Sequence, residues 1–180
     1  MAPGESNGDP IMQNLSQMSD QDRLGSNFMK KRVASEVNLK FLNDIMARSK
    51  AYWGYDAAFM KKFMESFCVR ADYIHQQNTF IFSLGLEDVG WYSFSQNSEH
   101  QLELDNFFLH PDYIGKGIGK TMWNDCVSTA KSYNAPFFVV WSDPNAEGFY
   151  FKMGCIKIGE RESPMMPNRY PSIFRYNLKS

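Results

Sequence analysis

The chain has no surplus of basic residues. Its 19 Lys and Arg face 20 Asp and Glu, for a net charge of −1 and a pI near 6.3. A polyanion finds no electrostatic hold on such a surface, so no nucleic-acid partner is expected. Apolar runs of membrane-spanning length are missing too, and the start lacks the basic residues and apolar segment of a signal peptide, so no membrane partner is expected. Cysteine is scarce. Cys68, Cys126 and Cys155 are odd in number and lack metal-ligand spacing; they read as free thiols in a reducing, cytoplasmic compartment, with no metal site. What is present is apolar material: 43% hydrophobic and 16% aromatic residues over 180 positions can bury one substantial core. Residues 1–28, rich in Gly, Ser, Asn, Asp and Gln, cannot offset their own ordering entropy. They read as a flexible tail, native or left over from cloning, ahead of one domain over 29–180.

The stretch that organises the chain is QLELDNFFLHPDYIGKGIGKTMWNDCVSTA, residues 101–130. It opens as a strand (Leu102, Leu104, Phe107, Phe108, Leu109), turns at His110-Pro111-Asp112, passes three glycines at alternate positions and becomes helical. Strand, glycine turn and helix start together make an anion site, because unpaired N–H groups converge where the helix dipole favours negative charge. Spacing decides which glycine motif this is. A triphosphate P-loop needs its first glycine at Ile114, and a dinucleotide fingerprint needs its third at Lys120, so both fail.

Along the rest of the chain, Lys30 to Ala34 is a short strand, and Ser35 caps a helix near 36–50 that uses Val37, Phe41, Leu42, Ile45 and Met46. Asp56 caps a second helix through Phe67. The link between them, Tyr52-Trp53-Gly54-Tyr55-Asp56, holds three aromatics and a carboxylate, which suit either a cationic amine or a wedge between helices. Thr79 to Leu86, a turn at Glu87-Asp88, Val89 to Gln96 and the organising strand read as an antiparallel meander. After the glycine turn, Met122, Trp123, Cys126, Val127, Ala130 and Tyr133 mark a half-buried helix that Asn134 can stop. The apolar run Pro136 to Trp141 then suits a strand covered on both faces and parallel to the organising one. Asp143 as cap, Pro144 at the first helical position and Gly154 past the end delimit a short helix, and strands at Ile156–Arg161 and Ser172–Leu178 close the chain around a proline-stiffened loop.

Two runs, His-Pro followed by glycines 115, 117 and 119, and Asp-Pro-Asn-Ala-x-x-Phe-Tyr-x-x-x-Gly from Asp143, resemble the coenzyme turn and last helix of the GCN5-related N-acetyltransferases. They occur in the family's order, one strand apart. The resemblance implies one α/β (α+β) domain with a mixed, mostly antiparallel sheet of six to seven strands flanked by about four helices, splayed open where the coenzyme arm inserts. It implies acetyl-CoA as co-substrate, held by Phe108, Leu109, Ile114, Gly115, Lys116, Gly117, Ile118, Gly119, Lys120, Asn145 and Tyr150. It implies transfer to the amine of a small molecule or protein, and leaves a homodimer open. Two positions depart from the family pattern: Ile114 stands where Arg or Gln is usual, and Cys155 where an aromatic is usual.

Amine acetylation needs a neutral nucleophile, and deprotonating a lysine-like amine at neutral pH costs about 4 to 5 kcal/mol. By the resemblance Glu103 is the base, with Asp105 in reserve on the same strand face, and Tyr150 is the acid that protonates the thiolate. The Leu109 N–H stands as oxyanion donor. Tyr52, Trp53, Tyr55, Asp56 and Arg169 are the candidate acceptor residues, Arg169 for a carboxylate. A module that binds the coenzyme or a nucleotide without chemistry is the alternative.

Overall fold

The computed structural model describes residues 29–163 and 166–178; the expected tail over 1–28 lies outside them. The described residues form seven strands and five α-helices: β1 (Met29–Val33), α1 (Leu39–Ala51), α2 (Ala57–Phe67), α3 (Ala71–Gln76), β2 (Asn78–Leu84), β3 (Glu87–Gln96), β4 (Leu102–Leu109), α4 (Ile118–Lys131), β5 (Phe137–Ser142), α5 (Glu147–Lys152), β6 (Ile156–Glu160) and β7 (Ser172–Asn177). Single 3-10 turns precede α1, α4 and α5. The sheet runs β1-β2-β3-β4-β5-β7-β6. Every neighbouring pair is antiparallel except β4 and β5.

Each face of the sheet buries its own core. On one, α4 lays Ile118, Met122, Trp123, Cys126 and Ala130 against Tyr92, Phe94, Leu104, Phe138 and Phe174. On the other, Leu42, Ile45 and Met46 of α1 and Phe63 of α2 cover Ile81 and Trp91. The Trp91 indole donates to the carbonyl of Leu42 at 3.0 Å, which satisfies its N–H in the core and pins α1 to the sheet. Gly90 has to be glycine, since a Cβ there would lie 2.7 Å from the Phe108 carbonyl oxygen and 2.9 Å from the Met122 sulfur.

Two local readings need correction. The β2–β3 turn falls at Gly85-Leu86, where Gly85 takes φ +63°, so Glu87 and Asp88 are strand residues. Helix α3 fills a stretch with no helix expected; only its Ile74 is buried, too little for a readable apolar stripe.

Two features of β4 shape what lies beside it. The β3–β4 register passes from Ser93↔Asn106 to Phe94↔Leu104, so Asp105 is an extra, bulged residue. The parallel β4–β5 pairing consists of one register position, Glu103↔Val139. Beyond that point toward their C-terminal ends the two strands part.

Candidate active site

The parting strands bound a cavity of about 880 Å³, lined by Glu103 to Leu109 of β4 and by Val140 to Ser142 of β5. It reaches the glycine turn at one end and Lys50, Asp143 and Arg169 at the other.

At the turn, Gly115 and Gly117 adopt φ +79° and +83°, a region open to glycine at little cost. Gly117 is the N-cap of α4. Among the described residues, the N–H groups of Gly115, Gly117, Ile118 and Gly119 find no backbone acceptor, whereas Lys116 donates to Tyr113 and Lys120 to Gly117. A Cβ on Gly115 or Gly117 would meet nothing within 4 Å. Open donors at a helix start, with free space before them, fit a diphosphate. The turn is held from behind: His110 N–H donates to Val89, the His110 ring accepts from Asp112 N–H, and the Tyr113 hydroxyl donates to Glu87. Since His110 N–H points at β3, strand alternation points the Leu109 N–H the other way, into the gap.

Of the residues expected at the coenzyme, Phe108, Leu109, Ile114, Gly115, Gly117, Gly119, Lys120, Asn145 and Tyr150 line the cavity. Lys116 is exposed, and the side chain of Ile118 belongs to the core. Tyr150 is 6% exposed, its ring packed between Trp123 and Phe174. Burial, and then the neighbouring Cys155 and Cys126, push its pKa far up, so the phenol keeps its proton. Among the described residues no side chain hydrogen-bonds its hydroxyl.

Glu103 sits at the apex where the strands part. Burial, then the charge of Asp105, raise its pKa to about 7, with an Asn97 hydrogen bond opposing. Burial raises Asp105 beside it as well, against the hydrogen bond it accepts from Tyr73, although the residue keeps contact with solvent. The bulge turns Asp105 and Asn106 to the same face, where Tyr73 of α3 gathers them: its hydroxyl donates to Asp105, meets Ser93 at 2.7 Å and accepts from Asn106 at 2.7 Å. Tyr73 was missed because its helix was.

At the far end the residues of the Tyr52–Asp56 link have different surroundings. Trp53 lines the cavity, but Tyr52 is turned outward edge-on to Trp53, and Asp56 is spent on capping α2 through the Phe59 N–H at 2.8 Å. Tyr55 does meet cations, and they are the protein's own. Lys50 lies 5.1 Å and Arg169 5.2 Å from its ring centroid. Both cations bond the Asp143 carboxylate, Arg169 at 3.1 Å, and the Tyr55 hydroxyl adds a bond at 2.9 Å. Asn145 joins through Nδ2, to Asp143 at 3.1 Å and the Tyr55 hydroxyl at 3.2 Å. Burial alone would raise Asp143; the Lys50 charge and the bonds it accepts outweigh that and hold its pKa below the usual carboxylate range. Burial draws Lys50 down from its ordinary value, and Asp143 draws it back. Sequence reading missed both: Asp143 was legible as a helix cap, which it also is through the Asn145 N–H, and Lys50 as a last-turn lysine. The signal that could have found Lys50 is the aromatic row Tyr55, Phe59, Phe63 at four-residue spacing, over which it lies.

Among the described residues no three His, Cys, Asp or Glu side chains gather as a metal site, and no helix is long and apolar enough to cross a membrane.

Solved structures share this architecture. A GCN5-related N-acetyltransferase from Rhodopseudomonas palustris superposes with TM-score 0.68 at 18% identity, covering 85% of this chain and 99% of that one. PaiA N-acetyltransferase from Thermoplasma acidophilum, solved with coenzyme A, gives 0.64 at 17% identity over 83% and 98%. YncA from Salmonella typhimurium, solved with acetyl-CoA, gives 0.59 at 16% over 85% and 95%. Curated protein sequences offer no match. The sequence profile described as "Acetyltransferase (GNAT) domain" matches residues 15–164, starting ahead of β1 and ending in the loop before β7. With that profile spanning most of its length and the parted sheet to go with it, the chain belongs to the GNAT acetyltransferase family.

Proposed function

We propose that the protein transfers an acetyl group from acetyl-CoA to a primary amine by direct attack in a ternary complex. The observation that carries this reading is the single cavity joining the open N–H groups of the glycine turn to Tyr150 and Glu103. Coenzyme A and acetyl-CoA in two structural neighbours support the choice of donor.

In this reading the turn from Ile114 to Lys120 holds the diphosphate, with Lys120 facing the cavity as a countercharge and Lys116 available from the surface. Asn145 and the β4 edge at Phe108 and Leu109 take the pantetheine arm. Trp53, Tyr55 and Arg169 bound the acceptor side, with Tyr52 and Asp56 shaping the link behind them. The amine nitrogen attacks the thioester carbonyl carbon; the C–N bond forms, the C–S bond breaks, and the Leu109 N–H steadies the charge on oxygen. Glu103 takes the ammonium proton directly or through water. Its pKa of about 7 leaves a useful share ionised at neutral pH while keeping it basic enough to accept. Tyr150 gives its proton to the departing sulfur and is reprotonated, through water, by the second proton that the nitrogen sheds as the amide forms. Burial makes the phenol a weaker acid, and desolvation makes a thiolate in the same dry place a stronger base.

Calorimetric titration with acetyl-CoA tests the donor half, and thiol release with a panel of amines tests the transfer. Heat of binding followed by amine-dependent thiol release is expected. No heat at roughly millimolar ligand removes the donor assignment, and binding without thiol release from any amine points to a sensing module.

A further inference from the structure

Besides Lys120 and Lys152, the cavity is lined by two groups of charged side chains, one acidic and one with a net positive charge. Glu103 and Asp105 stand on β4, at and just past the point where the sheet parts. Lys50 and Arg169 stand around Asp143, just beyond the end of β5, and all five line the one cavity. Two cations therefore share one carboxylate, which leaves this corner a surplus positive charge. Water screens it little: the side chains of Lys50 and Arg169 are 11% and 23% exposed.

Arg169 also has donors to spare. Among the described residues its bonds to Asp143 and to the Tyr55 hydroxyl both run through Nη2, which leaves Nη1 and Nε of a planar fork. The Tyr55 and Phe59 rings, 5.2 and 4.8 Å from the guanidinium carbon, fix its position before any ligand arrives. A pre-set fork on a cation whose counterion is already shared suits a planar, singly charged anion, and a carboxylate matches both the shape and the surplus of one charge.

We infer that the acceptor carries a carboxylate as well as its amine: Arg169 and Lys50 seat the carboxylate, and the amine lies toward Glu103 and Asp105. The substrate class is then an amino acid or a close relative, and a simple alkylamine or polyamine is disfavoured because every charge it carries is positive and is repelled by the Lys50–Arg169 corner. This rests on the transfer reading above.

The test is thiol release from acetyl-CoA with a set of amino acids, each beside the amine left when its carboxylate is replaced by hydrogen. Amino acids should exceed their matched amines in kcat/KM by about tenfold or more. Arg169→Gln should erase that preference by raising the KM for the amino acid roughly ten- to a hundredfold. Arg169→Lys, which keeps the charge and loses the fork, should fall between, and coenzyme titration of each variant reports whether the cavity is intact. If matched amines react as well as the amino acids, the carboxylate seat is overturned and the transfer reading stands. If Arg169→Gln slows both kinds of acceptor equally, Arg169 is a strut and the seat is again overturned. If coenzyme binds and no acceptor of either kind releases thiol, the transfer reading fails and the inference falls with it.

Discussion

At one end of the cavity four open N–H groups come from five consecutive residues, Gly115 to Gly119; at the other, Lys50, Tyr55, Asp143 and Arg169 arrive from three separate parts of the chain. The first end is built from backbone. Its donors depend on the conformation that Gly115 and Gly117 permit, and none of them comes from the side chain at Ile114, where the family usually has Arg or Gln. The second end is built from side chains, held by an ion pair and aromatic faces, and each member is replaceable by substitution. A scaffold of this kind can keep one coenzyme and change its acceptor.

That contrast is open to attack by substitution, first at the join between the ends. Tyr150→Phe should lower turnover by about 10²–10⁴-fold and change coenzyme affinity by less than about twofold. An unchanged rate assigns Tyr150 to packing.

At the side-chain end, Asp143→Asn leaves Lys50 and Arg169 facing each other without a counterion, and should cost about 3–5 kcal/mol of stability. Thermal melting should register this as a drop of roughly 6–20 °C. Lys50→Met keeps an unbranched chain over the aromatic rings and leaves Asp143 paired with Arg169, so its loss should be smaller. The reverse order would show that the pair is not what ties this end together.

Glu103→Gln addresses the apex. In the wild type kcat/KM should rise as pH passes about 7, where Glu103 loses its proton; in the variant this limb should vanish and the plateau fall by roughly ten- to a hundredfold. Stability should move in the opposite sense. Because burial raises the folded-state pKa above the ordinary 4.5, the folded wild type loses stability relative to the variant as pH rises past that value, and the loss is complete above about 7. Equal melting-temperature differences between the two proteins at pH 4 and pH 8, roughly bracketing that interval, would refute the cause assigned to the shift.

The smallest effect is expected at the backbone end. Gly117→Val forces a branched residue toward φ +83°, a strain of about 1–2 kcal/mol, so coenzyme should bind about five- to thirtyfold more weakly. Acceptor KM should not follow. If it does, the two ends are not separable.

How far each part was legible follows from the same difference. The strand, glycine turn and start of α4 could be read in order because the His-Pro turn, the glycines and the helix start mark them locally, although β3 also braces the turn through Val89 and Glu87, and α5 could be read because Asp143, Pro144 and Gly154 mark its limits. The β2–β3 turn was misplaced by two residues because Leu86, fully exposed, looks like one more strand residue. Tyr73 went unread because six residues with one buried side chain leave no periodic signal. Lys50 went unread because a lysine in a last helical turn is ordinarily solvated, and only α2 folding across it makes it buried.

Sequence alone determined the coenzyme end: which residues form the turn, where its glycines fall, and the order of strand and helix around it, since these depend on backbone preferences within a few positions. Tertiary structure decided the rest. A single register pair between β4 and β5 opens the cavity, a bulge at Asp105 aims two polar side chains into it, and packing of α1, α2 and the loop before β7 brings two cations onto one carboxylate. Those outcomes depend on contacts between residues up to 114 positions apart, and no local pattern encodes them.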